Sequence, residues 1–377
     1  MKTNLNIVEI STKKEIKEFI RFPDRLYSGN KYYIPAIKSK ELQTLSFDKN
    51  PAFEFCRAKY WLAIRNGVIV GRIAGIINEK YNEKHNNKYA RFGWLDFIDD
   101  FKVLSLLLQA VENWAISEQM DYLHGPLGFS SFDASGILTK GFYEMPTTFA
   151  HYNFQYYPKL IEMAGYEKEV DWVEYNVNVP KTVPEKFAKG AELIKKRYGL
   201  KSAELKKKKD LLKYADDLFR LLNAEYKDIY AFSELTGKQI EILKKQFIPI
   251  LRPEFVSIIL DTTDKVIAFG ITLPSLSKSQ QRSKGKMFPF GFIRILYALR
   301  KNDTVDTLLI AVKKDYQKKG VNGIIFNDII NVLIRKGITN IESNRELEDN
   351  IKINNLWNKF EYRQHKRTRC FVKKLQL

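Results

Sequence analysis

Between residues 305 and 337 the sequence runs VDTLLIAV, then KKDYQKKG, then VNGIIFNDIINVLIRKG. An apolar strand, expected over 307–312, enters a lysine-rich turn that carries glycine. The turn opens a helix, expected over 323–336, whose apolar residues recur at helical spacing. A strand over 338–342, a helix over 349–359 and a final strand near 369–374 follow. A strand that ends at a helix N-terminus presents unpaired backbone N–H groups to whatever lies beyond it. That arrangement suits a phosphate.

The same order of elements occurs earlier in the chain. A helix is expected over 13–21, where Ser11 or Thr12 can cap its N-terminus. Apolar runs over 58–65 and 68–77 flank Asn66-Gly67, a strong hairpin signal. A strand over 90–98, a helix over 101–119, a strand over 122–127 and a helix over 153–164 that stops at Gly165 complete the set. The second half adds a helix over 210–230, strands over 255–261 and 266–273, a Ser/Lys/Gln-rich loop over 275–286 and a helix over 292–300. The pattern reads as two copies of one α/β unit with a mixed sheet, 1–178 and 179–377, joined by a linker over 179–205 that starts at Pro180 and Pro184.

Charge separates the two copies. The chain has 63 basic and 44 acidic residues, net +19. Residues 1–178 carry 22 of each sign, so the excess lies wholly in residues 179–377, with 41 basic and 22 acidic. An anionic partner is expected for the second half: a nucleotide cofactor, a nucleic acid or a membrane surface. The longest apolar run, 288–299, is a dozen residues broken by Arg294, too short for the ~20 of a membrane span. No membrane partner is therefore expected, and no signal peptide is read at the N-terminus. Two cysteines far apart in sequence, Cys56 and Cys370, suggest free thiols in a reducing cytoplasm. No metal is expected, since four histidines and two cysteines show no ligand spacing.

The turn Gln317, Lys318, Lys319, Gly320, Val321, Asn322, with Gly323 one place on, resembles the phosphate-binding turn of the GNAT superfamily of CoA-dependent acyltransferases. There the pattern is Q/R-x-x-G-x-G/A, and Asn322 departs from it. Asn350, Ile353, Leu356-Trp357 and Glu361-Tyr362 are similar to the later signature of that superfamily. Trp357 stands where a tyrosine commonly acts as general acid, and an indole only donates. The first half looks like a degenerate copy, with Asp99-Asp100-Phe101 in place of the glycine turn. The stretch HGPLGFSSFDASGILTKGF is similar to a bacterial family of tandem GNAT-like proteins.

The resemblance implies an acyl-CoA-dependent N-acyltransferase, with acetyl-CoA or another acyl-CoA as co-substrate and a small amine as acceptor. Residues 317–323 would cradle the diphosphate, glycine allowing close approach and the lysines adding charge. Leu309, Ile310, Val312 and Trp357 would border the thioester. Glu342 and Asn350 are the expected catalytic groups; Glu346, Glu348 and Asp349 read instead as acids favoured at a helix start. Tyr152, Asn153, Tyr156 and Tyr157 are expected to line an acceptor pocket. Two alternatives accompany this reading. Fem-type transferases, which take aminoacyl groups from tRNA, would suit the basic half. A binding protein without catalysis would suit the departures at Asn322 and Trp357.

Overall fold

The computed structural model describes residues 4–350 and 356–376. In the first half, strands β1 (Leu5–Ile10), β2 (Cys56–Arg65), β3 (Val68–Asn78), β4 (Tyr89–Phe97), β5 (Tyr122–Gly125), β6 (Ile137–Lys140) and β7 (Glu167–Asn178) alternate with helices α1 (Lys13–Leu26), α2 (Lys38–Thr44), α3 (Glu79–His85), α4 (Phe101–Ser117) and α5 (Tyr156–Met163). The second half has β8 (Lys201–Ser202), β9 (Val256–Leu260), β10 (Val266–Pro274), β11 (Thr304–Val312), β12 (Asn340–Glu342), β13 (Glu346–Leu347) and β14 (Tyr362–Lys374). Its helices are α6 (Glu185–Tyr198), α7 (Lys208–Tyr226), α8 (Gly237–Phe247), α9 (Ser277–Arg282), α10 (Gly291–Arg300) and α11 (Val321–Arg335).

Local chemistry explains several of these elements. Thr12 and Glu15 form a reciprocal capping box at the start of α1. Asn66 and Gly67 both adopt positive φ, as a two-residue turn between twisted strands requires. The apolar spacing of α11 turns Val321, Ile324, Ile325, Ile329, Ile330 and Leu333 inward.

All fourteen strands join one sheet with a repeated order. Strands β1 to β4 are antiparallel, and β5 lies parallel to β4. Strands β8 to β11 repeat this, with β12 parallel to β11. The halves then exchange their last strands. Strand β14, the end of the chain, pairs with β5 of the first half, while β7 pairs with β12 of the second. Strands β7 and β14 also pair with each other along the centre. Helices cover both faces. In the first half α4 packs on one side and α1 on the other. In the second, α6 and α11 lie on one side and α7, α8 and α10 on the other.

The structure departs from the sequence reading in places. The expected linker 179–205 is folded as α6 and β8. Strand β7, twelve residues long, is the closing strand that the repeated order implies for the first half, where the sequence reading gave it no bounds; α8 had no counterpart in that reading. Residues 351–355 of the helix expected over 349–359, with Ile353, lie outside the described residues; residues 357–359 form a 3₁₀ turn.

Candidate active site

In each half the parallel pair holds for only three residues and then parts. Strand β4 meets β5 at Tyr89–Tyr122, Ala90–Leu123 and Arg91–His124. Strand β11 meets β12 at Thr304–Asn340, Val305–Ile341 and Asp306–Glu342. Beyond these pairs one edge of β4 and one edge of β11 lack a strand partner.

The first-half gap is filled by protein. The Leu127 amide donates to the Phe92 carbonyl at 2.8 Å, and a Cβ on Gly93 would come within 2.4 Å of the Leu127 oxygen. Farther along, the Phe97 amide donates to the Tyr157 hydroxyl at 3.0 Å, and the Tyr156 hydroxyl donates to the Phe97 carbonyl. Tyr157 shares a hydrogen bond with Tyr27, which donates to Asp96. Asn153 is buried with its amide spent on Leu138, and the Tyr152 hydroxyl accepts from Asn30. These four residues, expected around an acceptor pocket, belong to the core of the first half. Tyrosines that satisfy backbone groups at depth look the same in sequence as tyrosines that wait for a ligand.

Among the described residues the second-half gap is open. A cavity of about 330 Å³ runs through it, bordered by α7 and α8 and by α11. Leu308, Leu309 and Ile310 form one wall, and Asn344, Glu346, Leu347 and Trp357 stand across from them. Ile325, Phe326 and Ile329 of α11 and Leu218, Leu222 and Phe247 of α7 and α8 extend it as an apolar chamber. On the free edge of β11, Asn344 Nδ2 donates to the Leu308 carbonyl at 3.1 Å and the Tyr226 hydroxyl donates to the Ile310 carbonyl at 2.9 Å. Gln317 Nε2 donates to the Val312 carbonyl at 3.0 Å and to Glu225. Of the expected residues, Leu309, Ile310, Asn350 and Trp357 line the cavity.

Two ionisable groups in this wall were not picked out from sequence. Glu346 accepts from Trp357 Nε1 through both oxygens, at 2.9 and 3.1 Å. Burial pushes its carboxyl up to about 7, and the indole bond pulls the other way. Tyr226 is pushed up to about 12, first by burial, with the charge of Glu346 adding to it. A carboxylate that titrates near neutrality beside a neutral phenol is an acid–base pair in the making.

Glu342 lies elsewhere, as the parallel partner of Asp306 below the gap, and does not line the cavity. Its carboxylate meets His365 Nε2 at 2.9 Å and Asn176 Nδ2 at 2.7 Å. Burial acts to raise its pKa, but His365 and Lys366 outweigh it and hold it below the usual range. Beside it, Asp306 is buried. Burial, reinforced by Glu342, pushes Asp306 up to about 7.

The turn expected to hold phosphate sits at the outer end of α11. Gln317, Lys318, Lys319 and Gly320 are exposed, and Lys318 and Gly320 have positive φ. Residues 317–320 form a turn that leads into α11. Gly320 caps α11 in the left-handed region, and a Cβ there would lie 2.6 Å from Ile194 Cδ1. A glycine-capped helix N-terminus bordered by exposed lysines fits a diphosphate. Ile325 and Phe326 reach the cavity about one and a half turns farther along the same helix.

One other cluster joins residues distant in sequence. His124, Glu169 and Cys370 bring ligand-type atoms within 4.8 Å of one another. His124 Nδ1 lies 2.8 Å from the Tyr230 hydroxyl, which donates to Glu169, so hydrogen bonds join these groups. Both cysteines are buried and free.

No family model matches the sequence. The chain is 25% identical over 370 residues to Protein YghO of Escherichia coli (strain K12), covering 96% of this chain and 94% of that protein. It is 26% identical over 322 residues to the bacterial ceramide synthase of Caulobacter vibrioides (strain NA1000 / CB15N), covering 83% and 82%. Among solved structures it is similar to a tandem GNAT protein from the clavulanic acid biosynthesis pathway, with TM-score 0.55, 12% identity and 99% of both chains covered. It is also similar to a probable N-acyltransferase from Enterococcus faecalis V583, with TM-score 0.51, 8% identity, and 99% of this chain and 73% of that one covered. The repeated strand order, the parting parallel pairs and these likenesses give one conclusion: the chain has a tandem GNAT-like fold.

Proposed function

We propose that the protein is an acyl-CoA-dependent N-acyltransferase whose second half does the chemistry and whose acceptor is a long-chain amine. The observation that carries this reading is Glu346, a carboxylate titrating near 7 in the wall of an apolar chamber that reaches the free edge of β11. A short acyl group and a small polar amine would leave that chamber unfilled, whereas an aliphatic chain would bury its methylenes there at about 0.8 kcal/mol each. The similarity to a bacterial ceramide synthase points the same way, since a ceramide is the amide of a long-chain amino alcohol.

In this reading residues 317–323 hold the diphosphate, and the arm of the co-substrate runs along Leu309, Ile310 and Val312. Bound there, the thioester supplies an activated acyl group. Glu346 takes the proton from the attacking amine, and Trp357 keeps its carboxylate aimed into the cavity. Tyr226 leaves the Ile310 backbone and donates its proton to the departing sulfur, the role that Trp357 cannot fill. Asn350 lines the same cavity and borders the acceptor. The C–N bond forms as the C–S bond breaks, and solvent resets the two protons.

Thiol release from acyl-CoAs of increasing chain length, measured with a long-chain amino alcohol and with short amines, tests this. Turnover confined to the long-chain amine supports it. Turnover with short polar amines alone, or none with any pair, removes it.

A further inference from the structure

Residues 278–301 form a projecting element whose outer surface the fold leaves uncovered. Phe288 is 81% exposed, Phe290 64% and Tyr297 61%, and Phe292, Ile293 and Leu296 are exposed beside them. On the opposite side of α10, Ile295, Ala298 and Leu299 pack into the core shared by α7 and α8. So α10 is apolar nearly all round, which a helix with one wet face does not need. An exposed patch of this kind marks an interaction site.

The patch is held firmly. Gln280 Nε2 donates to the Pro35 carbonyl at 3.0 Å, and Gln281 Nε2 donates to Lys31 and Tyr33. Arg294 donates to the Arg282 carbonyl at 2.7 Å, and Arg252 donates to the Leu299 carbonyl at 3.0 Å. Leu251, the neighbour of Arg252, lines the cavity.

Charge selects the partner. Lys278, Arg282, Lys284, Lys286, Arg294, Arg300 and Lys301 are all exposed, and no Asp or Glu occurs between 278 and 301. We propose that this element docks the protein on an anionic lipid surface, with Phe288, Phe290, Phe292, Ile293 and Leu296 entering the headgroup boundary and the seven cations resting on the phosphates. Aromatic and aliphatic side chains bordered by Lys and Arg are the composition of an interfacial helix. A second copy of the same face would bring like charges together. A nucleic acid would have no use for Ile293 and Leu296, which cannot stack on bases. Among the described residues no helix is long and apolar enough to cross a membrane, so the contact is with the surface. This inference stands whether or not the cavity performs acyl transfer.

The test is flotation of the full chain with vesicles of phosphatidylcholine alone and of an equal mixture of phosphatidylcholine and phosphatidylglycerol. Binding is expected to the mixture only, and to weaken with salt. The double variant Phe288→Ser/Phe292→Ser and the double variant Lys286→Glu/Lys301→Glu should each weaken it roughly tenfold or more. Both alter exposed side chains, and unchanged thermal unfolding would confirm that they fold. As a direct readout, Phe292→Trp should blue-shift in emission on adding the mixed vesicles. No binding, binding equal in the variants, or a patch that instead governs RNA binding or self-association without vesicles would overturn the proposal.

Discussion

The indole nitrogen of Trp357 donates to both carboxylate oxygens of Glu346, at 2.9 and 3.1 Å, in the wall of the cavity. The pair joins residues eleven positions apart in sequence. It also sets the direction of a pH response. Glu346 must be ionised to accept a proton, so kcat/KM should rise with pH through about 7. Because the indole bond favours the ionised form, Trp357→Phe should move that limb to higher pH. Glu346→Gln should remove the limb and cost roughly 10²-fold or more in rate. A pH–rate profile of the three proteins checks this; a limb unmoved by Trp357→Phe would separate the pair from catalysis.

Asp306 gives a stability prediction with a defined sign. Its carboxyl stands at about 7 in the folded chain against 3.8 when free, so the folded state binds the proton more tightly. Stability should therefore fall as pH rises from about 4 to about 7 and stay low above. Asp306→Asn should stabilise the protein by on the order of 2–4 kcal/mol at pH 8 and by little at pH 4. Urea unfolding at both pH values measures this, and an equal effect at both would refute it.

The chamber should set chain length. Ala215, buried on α7, lines it. Ala215→Phe would fill part of it and should shift preference toward shorter aliphatic chains, at about 1–3 kcal/mol for each displaced methylene. Competition between long-chain amines of two lengths reads the ratio, and an unchanged ratio would place the amine's chain outside the chamber.

Much of this was legible in the sequence, and the misses share physical causes. The hairpin at Asn66-Gly67 and the turn before α11 depend on local backbone geometry, which single residues report. The bounds of strand β7 were not legible because its sequence, EKEVDWVEYNVN, carries charges that find their partners on β14: Asp171, at β7, accepts from Arg367 and Arg369 of β14. Glu346 was read as a helix-start acid because residues 349–359 showed helical spacing; in the structure it sits in β13, paired with Val173 of β7. Tyr226 falls inside the helix expected over 210–230 without any pattern that singles it out, and its bond to Ile310 spans 84 positions of sequence. Exchange of β7 and β14 between the halves joins such distant residues, and no local pattern encodes it.

The central claim is that the second half alone binds a CoA thioester, through the turn at Gly320. Calorimetric titration of a long-chain acyl-CoA into the wild type and Gly320→Glu tests it most directly. The account predicts one site per chain in the wild type, because Tyr156, Tyr157 and Leu127 fill the first-half gap. It predicts that Gly320→Glu, which adds a carboxylate at a left-handed position facing Ile194, loses binding, and with it the ~2.7 kcal/mol of thermal stabilisation expected at a hundredfold excess over Kd. A folded Gly320→Glu that binds as tightly as the wild type, or two equal sites per chain, would contradict the claim.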